Sequence, residues 1–252
     1  MARQSKFTVT PMLMADQVYE ALQQAIFAGD LAAGTPLRNQ ELADMVGTSM
    51  MPVREAIRRL EEAGLATRVP HKGAVVKKFT VEELIDIYDV RTTLEVEATR
   101  RGAGRVTDEH VRQMEEACAL MQQAVAEHRV SEALDQDEAV LGTLYRAAGN
   151  AMAMTMMETL WRQCRPYKVI GATEALEHDD SSLWSFQPQL VEAARSRDVP
   201  AAVAVTEASL ASARRRLEKR LQSQDDLKTA DRATSREDVS KAVTGRMPVR
   251  PS

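Results

Sequence analysis

Apolar residues recur at helical spacing over most of the chain, interrupted once by a short stretch of strict alternation. Residues 12–29 place Val18, Leu22, Ala25 and Ile26 on one stripe, predicting a first helix that Gly29 closes. Gly34-Thr35-Pro36 reads as a turn. A second helix is expected from an Asn39 N-cap to Val46, with Leu42, Met45 and Val46 inward and Gly47 in the turn that follows. Thr48 or Ser49 then caps a third helix with Pro52 in its first turn, where a missing N–H costs nothing. Val53, Ile57 and Leu60 stand at i, i+4, i+7; they pack inward and leave Arg54 and Arg58 together on another face. Residues 66–69 and 74–78 alternate as two short strands around Pro70-His71-Lys72-Gly73.

Thr80-Val81-Glu82-Glu83 has the capping-box pattern and opens a second region. From there every segment reads at helical period: 81–102, 107–128, 131–148, 150–169, 183–197 and 199–221. The stretch 171–182 is polar and is expected to be irregular. After Leu221 the apolar periodicity stops, predicting a disordered tail over 222–252. The chain thus divides into a head (1–78), an all-helical body (79–221) and that tail, a mainly α fold with one small hairpin.

Composition supports helices over sheets. Aromatic residues make up only 4% of the 252 residues against 13 Met, so the core must be built from Leu, Ala, Val and Met. The chain has no apolar run long enough to span a membrane and no signal-peptide pattern at Met1–Thr10, which points to the cytoplasm. Cys118 and Cys164 share no metal or redox spacing and read as small core residues. The net charge of −4 divides unevenly: +2 over residues 1–78, −7 over 79–221 and +1 over 222–252. A weakly basic head on an acidic body fits a sequence-selective nucleic-acid reader better than a nonspecific DNA coat.

The head supplies such a reader. Two helices joined at Gly47, the second studded with arginine, followed by a hairpin with a basic tip, make a winged helix-turn-helix for double-stranded DNA. The leading end of the third helix offers Ser49, Met50 and Met51 to base edges, with Arg54 one turn later placed for a bidentate contact to guanine. Arg58 is expected on phosphate and Arg59 in solvent. Arg38 and Gln40 open the preceding helix and can reach the backbone or an adjacent base. Lys72 and Gly73 suit the minor groove, where glycine lets the backbone approach closely. The competing reading makes Arg54, Arg58 and Arg59 solvent-facing partners of Glu55, Glu61 and Glu62.

Residues 37–65 resemble the GntR family of bacterial transcription regulators, whose pattern runs close to L-x-E-x-x-L-A-x-x-x-G-V-S-R-x-P-V-R-E-A-L-x-x-L-x-x-E-G-L. Arg54 is retained, whereas Met50 stands where the family commonly has Arg and Gln40 where it commonly has a charged residue. These departures imply a different operator sequence. The body resembles the FCD effector domain of the FadR subgroup through Tyr88-Asp89-Val90-Arg91-Thr92-Thr93-Leu94-Glu95, Asp137, the stretch 144–150 and the segment 190–198. That resemblance implies a helical bundle that binds a small metabolite and forms a homodimer on a palindromic operator.

Many such domains hold a divalent metal with one Asp and three His, Asp and the first His standing at i and i+4. Here Asp137 is followed by Leu141, and the other two positions fall on Gln187 and Ser209. A lone carboxylate with an amide and a hydroxyl is a poor transition-metal site, so no metal and no other cofactor is expected. Of the four histidines, His71 belongs to the wing, His110 and His128 sit near helix ends, and His178 is read as exposed. Arg91, Asp137, Leu141, Gln187 and Ser209 would line a cavity without a metal. Arg91 either receives a ligand carboxylate or pairs with Glu95 at i+4. Leu141 implies an effector with an apolar part. Met152, Met154, Met156 and Met157 line that space or fill the core, and Arg214-Arg215-Arg216 reads as a solvated face.

The expected function is sequence-specific DNA binding by a transcription regulator, most simply a repressor, modulated by a small metabolite. The alternatives are a DNA protein without an effector, and an enzyme with a DNA-localising head. No nucleophile–base pair, paired acids or phosphate loop stands in 79–221 to support catalytic residues.

Overall fold

The computed structural model describes residues 14–178 and 180–244. Helix α1 (Met14–Ala28) buries Val18, Leu22 and Ile26, one residue per turn of a single stripe. Helix α2 (Asn39–Val46) begins one residue earlier than a cap at Asn39 would give. Arg38 is the flanking residue and supplies no side-chain cap; its guanidinium pairs with Glu41 at 2.7 Å instead. Gly47 ends α2 at φ 68°, a left-handed conformation that favours glycine, and returns its N–H to the Ala43 carbonyl. Met45 does not face inward; it is 69% exposed, and Leu42 with Ala43 forms the buried edge. The short helix buries 42 and 43 and half-buries 46, where periodicity placed 42, 45 and 46 inward.

Helix α3 (Met50–Glu62) follows an extended Ser49 whose side chain makes no cap hydrogen bond. Val53, Ala56, Ile57 and Leu60 are buried against α1 and α2. Strands β1 (Ala66–Val69) and β2 (Gly73–Val76) pair antiparallel, with Ala66 opposite Val76 and Val69 opposite Gly73. The second strand stops at Val76, where Val75 also bridges Pro36 and so ties the hairpin to the turn before α2.

The body opens at α4 (Val81–Gly102), where the Thr80 side chain accepts from the Glu83 N–H and Glu83 reaches back to the Thr80 N–H. Helices α5 (Asp108–Ala126), α6 (Val130–Ala147), α7 (Ala151–Glu177), α8 (Phe186–Arg195) and α9 (Val199–Thr244) complete it, with a 3₁₀ turn at Ser181–Trp184. The core joins Met114, Met121, Leu134, Val140, Leu144, Tyr145, Met157 and Trp161, and Cys118 and Cys164 are free and buried. At Gly102, α4 packs directly on the α6 backbone: a Cβ there would fall inside contact distance of the Leu144 carbonyl.

Two segments differ from the sequence expectation. Residues 171–177 continue α7 rather than forming irregular chain; Ala172 and Ala175 are buried and the segment is rich in Ala, Leu and Glu, all strong helix formers. A helix also continues to Thr244 where composition predicts a disordered tail over 222–252. The sequence holds no Gly or Pro between Pro200 and Gly245 to break it. Residues 245–252, the rest of that expected tail, lie outside the described residues.

Head and body meet along α7. The Phe79 N–H donates to Tyr167 Oη at 2.6 Å, and that hydroxyl lies 3.2 Å from the Phe79 carbonyl. Their rings stand edge to face, centroids 6.2 Å apart. Gln163, one turn earlier, lies over Gly64.

Candidate functional site

Two surfaces carry chemistry. The first is the leading end of α3. Ser49 and Arg54 are exposed there, with Met50 44% and Met51 76% exposed. Arg54 makes no hydrogen bond or ion pair with any described residue, so its five N–H donors are free. Its neighbours are not. Arg58 is fixed by Glu55, with Nε 3.0 Å from Oε2, and by Glu62 one turn on. The paired-charge reading therefore describes Arg58, and a phosphate would have to compete with two carboxylates for it. Arg59 is not simply solvated either: it pairs with Asp16 and stacks 4.3 Å from the Tyr19 ring centroid, fastening α3 to α1.

On α2, Arg38 pairs with Glu41, and the Gln40 amide donates to Asp44 at 2.9 Å, both on the exposed face. Lys72 and Gly73 stand exposed at the hairpin tip, Gly73 at φ 74° with open space where a Cβ would be.

The second surface is internal. A cavity of about 290 Å³ lies between α4, α6, α7, α8 and α9, at the small end of the ~300–1,000 Å³ usual for ligand sites. Arg91 of α4, Asp137 and Leu141 of α6, Gln187 of α8 and Ser209 of α9 all line it. Residues from four separate helices, distant in sequence, are thus brought to one space. His178 is not among them; it is exposed at the end of α7, its Nδ1 2.7 Å from the Glu174 carbonyl.

Arg91 is 3% exposed and makes the i+4 pair with Glu95. Its Nε donates to Glu95 Oε1 at 2.7 Å, and its guanidinium sits 4.5 Å from the Tyr88 ring centroid. Glu95, at 1% exposure, also accepts from Trp161 Nε1 at 2.8 Å and Tyr145 Oη at 3.1 Å. Burial, with the Glu95 carboxylate beside it, pushes the Tyr145 hydroxyl well above the usual phenol range. Arg91 Nη1 remains without a partner, as do Trp184 Nε1 and Gln187 Oε1, all three buried atoms of cavity-lining residues. Two donors and one acceptor are therefore unsatisfied around one space.

Asp137 is held by Lys168, whose Nζ lies 2.9 Å from Oδ2, and by the Gln187 amide on Oδ1. Lys168 also approaches Glu138 at 3.5 Å. Burial alone would lower the lysine's pKa, but the two carboxylates outweigh it and hold the ammonium above its ordinary range. Sequence reading missed this residue. The signal was present: Lys168 falls on the same inward stripe of α7 as Trp161, Cys164, Arg165 and Ala172, where a charge needs a buried partner.

Arg216 was also misread as part of a solvated face. It lines the cavity and donates to the Ser212 hydroxyl at 3.0 Å, and burial lowers its pKa. Arg214 is bound to Asp89 at 2.8 Å and to Glu218. Of the methionine run, Met154 and Met157 fill the core whereas Met152 and Met156 are exposed, and none lines the cavity.

The donor set does not fit a divalent metal. Asp137 already carries an ammonium and an amide, Leu141 offers only hydrocarbon, and Ser209 a neutral hydroxyl. Among the described residues, no three His, Cys, Asp or Glu side chains are grouped so as to hold an ion. No helix among them is long and apolar enough to cross a membrane.

A helix-turn-helix with a two-stranded wing, followed by a helical bundle around a polar-lined cavity, defines a class of two-part regulator. Residues 14–76 match the family of bacterial regulatory proteins called gntR, and residues 86–212 match the FCD domain. The chain belongs to the gntR family, and its second half is an FCD domain; the family is one of regulators, not enzymes.

It is 27% identical over 144 residues to the HTH-type transcriptional repressor RspR of Escherichia coli K12, covering 57% of this chain and 63% of that protein. It is 25% identical over 167 residues to the HTH-type transcriptional regulator McbR of the same organism, covering 64% of this chain and 76% of that one. The chain thus spans less than two thirds of RspR. The solved structure of E. coli McbR/YncC superposes with a TM-score of 0.70 at 21% identity, over 84% of this chain and all of that one, a likeness of fold.

Proposed function

We propose that the protein is a homodimeric transcription regulator that binds a palindromic DNA operator through its head and releases it when a small metabolite enters the body cavity. The single observation that carries the DNA reading is the free leading end of α3. Arg54 is exposed and unpartnered there beside exposed Met50 and Met51, while the arginines behind it are occupied by carboxylates. A guanidinium in that position matches the O6/N7 edge of guanine, and thioether side chains suit thymine methyls. Repression is the regulatory sign we assign, and RspR, a similar protein, is named a repressor. Such a protein works where the DNA is, in the cytoplasm.

Effector control is supported by the three unsatisfied polar atoms around the cavity, which the polar groups of a bound ligand would satisfy. Two donors favour a carboxylate, and Leu134, Leu141 and Leu190 on the same wall favour an apolar part beside it. Helix α7 links the two sites: Lys168 faces the cavity while the adjacent Tyr167 grips Phe79 between wing and body. A ligand that moves Lys168 shifts the head through Tyr167, favouring an arrangement in which the two heads no longer match their half-sites. Exposed Met152 and Met156 on the first turns of α7, with Val90 on α4, supply apolar surface for a second copy.

Footprinting on the DNA upstream of the protein's own gene tests this reading. Protection of a short palindrome, weakened by Arg54→Ala, is expected. Absence of any protected palindrome, or an Arg54→Ala variant that binds as well as wild type, refutes it.

A further inference from the structure

We propose that Lys168 is the built-in cation of the cavity: its ammonium, tied to Asp137 and Glu138, occupies the position a divalent ion would need and makes anion binding independent of metal. This deepens the cavity reading above and rests on it for the ligand, though not for the lysine.

Asp137 Oδ2 is engaged by Lys168 at 2.9 Å and Oδ1 by the Gln187 amide, so neither oxygen of the one carboxylate retained from the metal-binding pattern is free. The Lys168–Asp137 pair is nearly dry, with side chains 14% and 8% exposed. A buried carboxylate needs a cation, and a buried ammonium needs a carboxylate; each satisfies the other here. The surrounding wall fits that exchange, since Leu141 gives an apolar face in place of a ligand, and Gln187 has its second polar atom, Oε1, unpartnered. Arg91 Nη1 and Trp184 Nε1, both unpartnered, supply donors fixed in direction by planar groups, beside a lysine whose N–H donors rotate and already face carboxylates. The lysine neutralises the Asp137 carboxylate that would otherwise repel an anion, and the arginine and tryptophan orient the anion.

The test uses the full chain, stripped with EDTA and titrated calorimetrically with Zn²⁺. Wild type is compared with a Leu141→His/Gln187→His/Ser209→His variant and with the same variant carrying Lys168→Met. No saturable uptake is expected for wild type, and only weak uptake for the triple variant, whose three imidazoles must hold zinc without Asp137 while the ammonium blocks it. Markedly tighter uptake is expected once Lys168 is also removed. Saturable uptake by wild type that Asp137→Asn abolishes, or equal uptake with and without Lys168, overturns the proposal. Circular dichroism establishes that each variant folds; should the last one not fold, the wild-type titration and its Asp137→Asn control still decide.

A second arm follows melting with sodium benzoate and sodium octanoate against benzyl alcohol and octanol. A rise with either anion that EDTA leaves unchanged and Lys168→Met abolishes supports the lysine. A rise that EDTA removes overturns it. If neither anion raises the melting temperature of wild type, the anion reading of the cavity fails by itself, while the zinc titration still judges the lysine.

Discussion

Arg91 and Glu95, one turn apart on α4, form an ion pair with Nε 2.7 Å from Oε1 and side chains only 4% and 1% exposed. Three donors from three helices converge on that carboxylate, because Trp161 of α7 and Tyr145 of α6 complete its shell. Glu95 therefore ties the cavity wall to the core. Removing its charge leaves the guanidinium buried with nothing to balance it, and losing one partner of such a pair costs about 3–5 kcal/mol. Glu95→Gln should lower the urea-unfolding free energy by that order. A variant within about 0.5 kcal/mol of wild type, the range of an ordinary surface change, would show the pair to be unimportant.

Arg54→Ala separates reading from folding. The side chain is exposed and touches no described partner, so thermal stability should not change. Specific operator affinity should fall by about 1–3 kcal/mol, the worth of a bidentate base contact. Arg58→Ala should weaken binding less and reduce its salt dependence, since its guanidinium is already shared between Glu55 and Glu62. Fluorescence anisotropy on operator and scrambled duplexes at several salt concentrations checks both.

The head was legible because its information is local: a glycine turn, a proline in the first turn of α3 and three arginines lie within 13 residues of one another. The errors there came from rotation and from distant partners. Met45 faces solvent because α2 is too short for periodicity to fix its rotation, and Arg59 is claimed by Asp16, which stands 43 residues away. In the body, the alignment of Asp137 with Gln187 and Ser209 picked out side chains from three helices that line one cavity. Lys168 and Arg216 were missed because long basic side chains usually reach solvent, and only the packing of α7 and α9 turns these two inward. The extension of α7 to Glu177 was hidden by the polar character of 171–182.

Gly102 lets α4 pack directly on the backbone of α6. An added Cβ would strike the Leu144 backbone carbonyl, which cannot swing aside as a side chain could. Gly102→Ala should destabilise the body by about 1–3 kcal/mol through overpacking, despite alanine's better helix propensity. Gly64→Ala is a useful contrast. There the nearest atom is the flexible Gln163 side chain, and φ is +71°. The backbone cost of about 1 kcal/mol should therefore remain when Gln163→Ala is added, whereas no second substitution of a side chain should rescue Gly102→Ala. Paired melting curves distinguish the cases.

The alkaline limb of stability should be set by buried groups that resist ionisation. Burial raises the pKa of Cys164, Tyr88 and Tyr145, and for Tyr145 the Glu95 carboxylate adds to it. Each folded pKa lies above its unfolded value, so the contribution is intact below the unfolded pKa and is lost as pH climbs towards the folded one. With unfolded values of about 8.5 for Cys and about 10 for Tyr, the melting temperature should hold through neutral pH and decline above that range. Lys168 follows the same sign, since its folded pKa is raised as well. Tyr145→Phe should flatten the limb above about pH 10, and a decline of unchanged slope would count against this origin.

Tyr167→Phe tests the connection between cavity and head. The substitution keeps the ring against Phe79 but deletes the hydroxyl that serves both the Phe79 N–H and its carbonyl. Leaving that part-buried N–H unmatched costs about 1–3 kcal/mol at most, and the loss falls on the segment joining wing to α4. Operator affinity without ligand should stay near wild type because no residue of the reading edge is altered. The change in that affinity on adding whichever carboxylate probe stabilises the protein should shrink, because Lys168 on α7 would no longer pull directly on the head. Anisotropy titrations with and without the probe measure this coupling as a ratio of dissociation constants. An unchanged ratio would mean that the signal leaves the body by another route, through Gln163 over Gly64 or through a rearranged pair of subunits.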